Sequence, residues 1–263
     1  GVESILPDRQ KLTILFVQGL FIALLVAVWQ WAAIAHPAPY LPRIGPIIEA
    51  WLSYFQAPLL HQATWPSLYR LLAGFGIGAG LGVVFGLALG QARGLIDWTR
   101  PTLEFLRFIP AVAILPGALV ILGPTDGMRI FIIAFGSFFP VLLATLDGTR
   151  RIEPLLLDVA KIEGLKPVTV SCRVILPATL PAIFAGLRIA LGMALIMMII
   201  SELMAATNGI GVAMLRAQRL FQSAKVYGGV LAIGTISIVL TLALLAVERR
   251  VLRWHIGWRE GAK

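Results

Sequence analysis

The chain has 263 residues, of which 59% are hydrophobic and 13% are charged, whereas soluble domains contain about 25% charged residues. The apolar residues form long runs, and a helix of about 20 such residues crosses a bilayer. This composition excludes a soluble globular domain and predicts an all-α membrane protein in contact with lipid. The formal net charge is +9, but the basic residues lie at the ends of the apolar runs and in short loops. Their placement is typical of membrane topology and argues against nucleic acid as a partner.

Six transmembrane helices are predicted from the apolar runs. They cover approximately residues 12–35, 67–90, 104–123, 128–147, 178–204 and 226–248. Pro110 and Pro116 interrupt the third run, and a proline inside a helix leaves a carbonyl without its backbone donor. Because such carbonyls need protein or water as partners inside a membrane, we expect the third span to face protein or a pore rather than lipid.

Basic residues predict the orientation of the spans, because cytoplasmic loops carry an excess of Lys and Arg. With the N-terminus inside, fourteen basic residues are cytoplasmic and five are external. The external cluster of Arg216, Arg219 and Lys225 opposes this trend. The predicted organisation is a cytoplasmic N-terminal tail, a transmembrane domain and a cytoplasmic C-terminal tail, at residues 1–11, 12–248 and 249–263.

An external segment is predicted at residues 36–64, which are rich in proline. Pro46 suits the first position of a helix, and apolar residues follow it at helical spacing. These residues are Ile47, Ile48, Trp51, Leu52 and Phe55. We expect a short helix that lies along the outer membrane surface.

Glycines recur every four residues in the second span, at positions Gly74, Gly78, Gly82, Gly86 and Gly90. Residues at this spacing share one face of a helix, and a face without side chains lets another helix approach closely. Two interpretations stay open. The face packs against a neighbouring span of the same chain, or it contacts a second copy of the chain.

Two ionisable residues, Arg188 and Glu202, lie within the fifth span, where charges are costly and are usually paired or functional. Their spacing places both on roughly the same side of the helix, about 21 Å apart along its axis. That separation is too long for a direct ion pair. Each residue is either a structural charge with a partner elsewhere or part of a polar pathway, in which a cation at Arg188 would suit an anionic solute.

No catalytic residue, metal site or cofactor site is predicted for the chain itself. The single cysteine, Cys172, allows no intrachain disulfide, and the three histidines are too far apart in the sequence to indicate a metal site. The phosphate-binding pattern G-x-x-x-x-G-K-[ST] and the zinc pattern H-E-x-x-H do not occur in the sequence.

The segment 148–177 between the fourth and fifth spans carries five Lys and Arg residues, which predicts a cytoplasmic loop. We expect a helix over about 153–163, a break at Gly164, and a second short helix over 166–173 with Pro167 in its first turn. The order of residues 158–164, Asp-Val-Ala-Lys-Ile-Glu-Gly, with Leu-Pro at 176–177, resembles the EAA motif in the cytoplasmic coupling loop of ABC importer permeases.

The resemblance covers about residues 40–250 and points to permeases of the nitrate/sulfonate/taurine/bicarbonate ABC importer family. Two departures in the loop are Asp158 and Val159, where the family has glutamate and alanine. Outside the loop, the residues that carry the resemblance are Ser67, Leu68, Tyr69, Arg70, Gly74, Phe75, Pro101, Glu104, Arg107, Ile109, Pro110, Phe139, Pro140, Gly148, Pro181, Gly186, Leu187, Arg188, Glu202, Gly209 and Gly211.

This resemblance implies a type I ABC importer permease fold with a cytoplasmic coupling helix, in a bacterial inner membrane. It implies cytoplasmic ATPase subunits that bind ATP and Mg, a second and identical permease copy, and an extracytoplasmic solute-binding protein. The expected solute is a small anion such as nitrate, a sulfonate, taurine or bicarbonate. The residues expected to contact the ATPase are Asp158, Ala160, Lys161, Glu163, Gly164, Leu176 and Pro177.

A secondary transporter or channel that works without an ATPase is the alternative. Such transporters often contain internal repeats, and the sequence shows no convincing one; the loop at 148–177 would also lack a purpose. A membrane-embedded enzyme is a third possibility, but it would need reactive residues at one depth. The sequence contains no such set.

Overall fold

The computed structural model of the chain describes the backbone of residues 8–253. Within that range it describes all side chains except those of residues 8–12, 15, 93, 95–97, 99, 100, 107, 161 and 205. The predicted tails at 1–11 and 249–263 therefore lie largely outside the described residues. The described residues form helices and short connections and contain no β-strand.

The helices are, in chain order, α1 (Asp8–Ala35), α2 (Ile44–Ser53), a π turn (Leu60–Thr64), α3 (Trp65–Gln91), α4 (Arg93–Phe108), α5 (Ala111–Leu122), α6 (Asp126–Arg150), α7 (Pro154–Ile162), α8 (Pro167–Val170), a second π turn (Ser171–Ile175), α9 (Leu176–Ala205), α10 (Ile210–Arg219) and α11 (Ser223–Val251). Five helical segments in the described range are long and apolar enough to cross a membrane. They correspond to the first, second, fourth, fifth and sixth predicted spans and are Phe16–Ala35, Leu60–Gln91, Asp126–Arg150, Pro167–Met204 and Ser223–Val251.

The third predicted span, 104–123, is interrupted at Pro110, as its prolines indicate, and does not form a sixth helix long enough to cross the membrane. The backbone is extended at Ile109 and Pro110, between the end of α4 and the start of α5. A proline disfavours helical geometry in the residue before it, which explains the break. Helix α5 has 12 residues and is about 18 Å long, shorter than the ~30 Å hydrocarbon core of a bilayer.

Helix α6 lies at the centre of the bundle, with α3 and α9 packed against it. Helix α3 runs parallel to α6, since Gly74 lies against Ile133 and Gly90 lies against Thr149 further along both helices. This layer of three helices holds the main core.

Helix α9 packs antiparallel to α6. Gly136, in the N-terminal half of α6, which the charge pattern predicts to be the outer half, lies against Met197, and Gly148, near the predicted inner end, lies against Thr179. The largest buried apolar cluster is located where α3, α5, α6 and α9 meet. It contains Leu71, Leu115, Ala118, Met128, Ile132, Ile133, Leu191, Ala194, Leu195, Met197 and Met198.

The external helix α2 begins at Ile44, two residues before the predicted start. Part of the side expected to face the membrane surface is covered by α11: Gly228 lies against Ala50, and Trp51 Nε1 donates a hydrogen bond to Thr235 Oγ1 at 3.0 Å. Helix α2 therefore packs against α11 while Ile48 and Leu52 stay exposed, and its position along the membrane surface stays a prediction.

Helix α1 is attached to the other helices at its outer end. Trp29 Nε1 donates to the Pro42 carbonyl, and the Ile44 amide donates to Gln30 Oε1, both at 3.0 Å. Almost all of its apolar surface is exposed. The helix therefore offers surface to lipid or to another protein chain.

The loop between α6 and α9 breaks at Gly164, as the sequence predicts, but the second helix does not end at Arg173. Helix α8 continues through the second π turn into α9. In this turn the amide of Leu176 donates to the Ser171 carbonyl, which leaves Pro177 in the first turn of α9, where no backbone donor is needed. The predicted short helix over 166–173 and the predicted span that begins at 178 are therefore continuous, and the wider turn accommodates Pro177.

Candidate functional site

The break between α7 and α8 has the geometry of a glycine-terminated helix. Gly164 has φ = 65°, in the left-handed region that glycine occupies without steric cost. The amide of Leu165 donates to the Ala160 carbonyl at 3.1 Å, the six-residue bond typical of a Schellman motif. This closed helix end fixes the angle between α7 and α8. We call residues 154–170 the elbow.

The elbow exposes apolar side chains, although it lies in the segment that the charge pattern places in the cytoplasm. Ile162 is 85% exposed. Exposed apolar patches of this kind mark protein contacts. The exposed large apolar residues of the elbow are Leu155, Leu156, Val159, Ile162, Leu165 and Val168.

The sequence-predicted contact residues occupy different positions in this loop. Asp158, Glu163 and Gly164 are exposed, whereas Ala160 is buried. The side chain of Lys161 lies outside the described residues. Leu176 and Pro177 are half-buried and form the first turn of α9, so they join the elbow to a span rather than lie at its tip.

A cavity of about 610 Å³ separates the elbow from the inner ends of α3 and α6. A 2.7 Å hydrogen bond in which Ser171 Oγ donates to Gln91 Oε1 joins the second π turn to the C-terminal end of α3. The cavity leaves room for the elbow to move relative to α3 and α6. It is lined by Gly90, Gln91, Thr149, Arg150, Ile152, Leu157, Leu165, Pro167, Val170 and Ile175.

All five glycines of the predicted glycine face point at α6. A Cβ atom at Gly86 would lie 2.6 Å from the Thr145 Cβ, and Gly74, Gly82 and Gly90 are covered at similar distances. A Cβ at Gly78 would overlap the backbone of α6 at Ala134. The face is therefore occupied by a helix of the same chain, which leaves it no room to contact a second copy.

Arg188 is paired with a residue on another helix. Its Nη2 atom is 3.1 Å from Oε1 of Glu248 in α11, and its side chain is 46% exposed. Both a structural role and a pathway role for Arg188 are compatible with the sequence. The geometry points its charge at α11.

Glu202 is fully buried and is the centre of a polar cluster at the outer end of the core. Its carboxylate accepts hydrogen bonds from Ser67 Oγ at 2.7 and 2.9 Å, from Arg70 Nη1 at 2.8 Å and from the Gly211 amide at 3.0 Å. Gly209 has φ = 121°, and a side chain there would overlap the carboxylate. Glu202 therefore ties α9 to α3 and to the start of α10.

Arg70 extends this cluster to α6. Its Nε donates to Asp126 Oδ1 at 2.8 Å, its Nη1 also donates to the Asn208 carbonyl at 3.0 Å, and its Nη2 donates to Asn208 Oδ1. Asp126 also accepts from Arg129 Nη1 at 2.6 Å. We call Ser67, Arg70, Asp126, Arg129, Glu202 and Asn208 the outer polar cluster; its two cations and two anions balance.

Arg70 was noted in the sequence only as part of the family resemblance, and no partner was predicted for it. The sequence did indicate that Arg70 is buried, because Arg70 precedes Gly74 by four residues and so lies on the glycine face. That face is buried against α6, so an arginine on it needs buried partners.

Known proteins with similar sequences indicate the function of this arrangement of helices. Residues 78–253 match the model of the family described as binding-protein-dependent transport system inner membrane component. The chain belongs to this family. The permease is 30% identical to the putative aliphatic sulfonates transport permease protein SsuC of Bacillus subtilis, over 95% of this chain and 91% of the relative.

Two further relatives and a solved structure agree with this membership. The taurine transport system permease protein TauC of Escherichia coli is 30% identical over 90% of the permease and 88% of the relative. The bicarbonate transport system permease protein CmpB of Synechococcus elongatus is 32% identical over 74% and 70%. An inward-facing structure of the MetNI methionine ABC transporter superposes with a TM-score of 0.60 at 18% identity, covering 74% of the permease and 94% of that chain.

These findings confirm the predicted family, fold class and function. The chain is the multi-pass membrane permease subunit of an ABC importer, with the type I permease fold. Membership of a family of binding-protein-dependent transport systems argues against the alternative of a secondary transporter or channel.

Proposed function

We propose that the elbow is the surface on which a cytoplasmic ATPase subunit binds and drives import through this permease. The exposed apolar side chains of α7 and α8 carry this proposal, because water is a poor environment for them and a protein partner would cover them. ATP and Mg bind to the ATPase, and this chain holds no cofactor.

The helix connections support transmission of force from the elbow to the membrane. The path from Pro167 to Met204 is helical without interruption, so a displacement of α8 moves α9. Helix α9 packs on α6, and α6 packs on α3 through the glycine face. Closure of two ATPases would thus rock this layer between inward-facing and outward-facing states.

We further propose that the permease lies in a bacterial inner membrane with both termini in the cytoplasm, and that it works as a homodimer. The bias of basic residues supports the orientation, and the exposed apolar surface of α1 supports contact with a second copy. The relatives' solutes support a small anion or zwitterion as cargo. The Arg188 charge is directed at Glu248, which supports a structural role for this residue.

The elbow proposal is tested with Ile162→Asp. We expect the variant permease to insert and to retain its thermal stability, because Ile162 is 85% exposed, but to lose most of the co-purifying ATPase. Mass-resolved co-purification of the tagged permease from its native membrane measures this. Normal recovery of the ATPase with Ile162→Asp would contradict the elbow as the docking surface.

A second surface fits the solute-binding protein. The turn after α10 exposes Leu220 and Phe221, and Phe221 has φ = 54° with its side chain 83% exposed. The external basic residues that oppose the topology trend, Arg216, Arg219 and Lys225, flank this turn. We propose that the turn and its flanking cations contact an acidic, partly apolar face of the binding protein.

The turn is tested with Phe221→Asn, because asparagine tolerates positive φ while the aromatic ring is lost. We expect reduced stimulation of ATP hydrolysis by the binding protein and unchanged recovery of the ATPase. Ile162→Asp is the reciprocal control, since it should lose the ATPase while leaving the external surface intact. Full stimulation with Phe221→Asn would remove the turn from the docking surface.

A further inference from the structure

Helix α10 joins the outer polar cluster to the exposed turn that precedes α11. It begins beside Glu202, and it ends at the turn that exposes Leu220 and Phe221. Its ten residues span about 15 Å. Glu202 belongs to α9, which is continuous with α8 in the elbow. Helix α10 therefore lies between the two proposed docking surfaces, the turn and the elbow.

The N-terminal end of α10 is held by side chains of two other helices. The first amides of a helix have no acceptor within that helix. In α10 the Ile210 amide donates to Ser67 Oγ of α3 at 2.9 Å, and the Gly211 amide donates to Glu202 Oε2 of α9 at 3.0 Å. Ser67 Oγ also donates to the Glu202 carboxylate. One hydroxyl and one carboxylate thus link α3, α9 and α10.

This end of α10 is enclosed by protein. Ile210 and Ser67 are completely buried, and Glu202 is 1% exposed. One turn further along α10, Met214 lies against Gly229 of α11. Because a buried amide that loses its acceptor is costly, α10 is not expected to slide away from Ser67 and Glu202. A movement of α10 is therefore expected to move these two residues with it.

The C-terminal end of α10 is closed by a Schellman motif. The Gln222 amide donates to the Ala217 carbonyl at 2.8 Å, and the Phe221 amide donates to the Gln218 carbonyl at 3.0 Å, which are the two bonds of that motif. With both ends closed, α10 is suited to move as one rigid body.

Phe221 occupies the position of this motif where glycine is usual. Its φ of 54° is sterically unfavourable for a bulky residue, and backbone strain of this kind clusters at functional sites. The strained residue also presents its ring to solvent, with 83% of it exposed. These observations mark the turn as the end of α10 that a partner contacts.

We infer that Ser67 and Glu202 are positioning residues that couple the exposed turn of α10 to α9. A displacement at Phe221 moves α10 and, through these two residues, the C-terminal end of the helix whose N-terminal side continues into the elbow. The inference rests on the proposed function, in which the turn contacts the solute-binding protein and the elbow binds the ATPase. It adds the residues through which one docking surface acts on the other.

The test measures the affinity of the binding protein for the importer with and without nucleotide. Coupling between two binding sites is reciprocal, so nucleotide on the ATPase must change the affinity at the turn if the turn acts on the ATPase. The importer is purified with its ATPase in lipid nanodiscs, and the nucleotide is the non-hydrolysable analogue AMP-PNP with Mg. The binding protein is the envelope protein that raises ATP hydrolysis by the wild-type importer.

We expect the Kd of the wild-type importer to differ by at least about fivefold between the two states, the lower end of typical coupling. In Ser67→Ala the ratio of the two Kd values should fall close to one, because the link between Ile210 and the carboxylate is lost. Phe221→Asn should weaken binding in both states and leave the ratio unchanged, because it alters the docking surface and not its connection to α9.

Ser201→Ala is the matched control. Ser201 is as buried as Ser67 and precedes Glu202 by one residue, but its hydroxyl donates to the Met198 carbonyl of its own helix. The variant should keep the wild-type ratio. Ser67→Cys replaces Ser67→Ala if that variant does not assemble, because a thiol is a weak donor and acceptor.

A wild-type ratio in Ser67→Ala would overturn the inference, and so would a ratio near one in the wild-type importer. Loss of the ratio in Ser201→Ala would overturn it as well, since any buried hydroxyl would then have the same effect. None of these results affects the import function. That function fails instead if the wild-type complex lacks an ATPase or if no envelope protein raises its ATP hydrolysis.

Discussion

Replacing Arg70 with methionine is expected to lower the free energy of unfolding of the permease by about 3–5 kcal/mol, because it leaves a carboxylate buried without its cation. Glu202 is 1% exposed and accepts a 2.8 Å charged hydrogen bond from Arg70. The same change removes the link to Asp126 at the start of α6. Thermal unfolding in detergent and the yield of monodisperse permease measure the effect.

Two controls separate the ion pair from the loss of a large side chain. The double variant Arg70→Met with Glu202→Gln removes both charges and is expected to recover much of the lost stability, since no net charge stays buried. Arg188→Met removes a pair whose arginine is 46% exposed and should cost less. If the double variant were as unstable as Arg70→Met, packing rather than charge would explain the cluster.

The outer polar cluster shows that charges inside a membrane protein can be recognised from the sequence, whereas their partners cannot. The rule that such charges are paired or functional identified Glu202 and Arg188 correctly as residues that need an explanation. It did not give their partners, because Arg70 is 132 positions from Glu202 and Glu248 is 60 from Arg188. Pairings over such separations depend on which helices pack together.

The elbow was largely predictable because its determinants are local. Glycine at a helix end and proline in a first turn act within a few residues, and the break at Gly164 follows from them. The continuation of α8 into α9 was missed. Leu176-Pro177 reads as a helix boundary in a regular α-helix, and the π turn that accommodates Pro177 leaves no clear pattern in the sequence.

A groove of about 440 Å³ beside α6, between α9 and the junction of α4 with α5, could not be predicted from the sequence for a different reason. A membrane helix is apolar on every side, so periodicity does not reveal which neighbour covers each face. The phenylalanines at 131, 135 and 139 share a face, but the same spacing would suit contact with lipid or protein. Only the course of α4 and α5, broken at Pro110, shows that this face borders an open space.

A second large loss of stability is expected from a substitution in the glycine face of α3. Gly78→Ala is expected to destabilise the permease by about 3 kcal/mol, the upper part of the range for an overpacked core. The added Cβ would overlap the carbonyl of Ala134, and a backbone atom of α6 cannot turn away as a side-chain end can. The two helices would have to separate along the contact that joins α3 to the rest of the core.

Gly80→Ala is the matched control for this prediction, because its Cβ would meet no atom within 4 Å. Alanine favours a helix over glycine by about 1 kcal/mol, so Gly80→Ala should be neutral or slightly stabilising. Both variants exchange glycine for alanine in α3 at nearly the same depth. They differ only in the direction in which the added methyl group points. Equal stability of Gly78→Ala and Gly80→Ala would mean that α3 and α6 are not in backbone contact. If only Gly78→Ala lowers the stability, the backbone contact between α3 and α6 sets the distance between these two helices. They belong to the layer of α3, α6 and α9 through which the elbow is proposed to act.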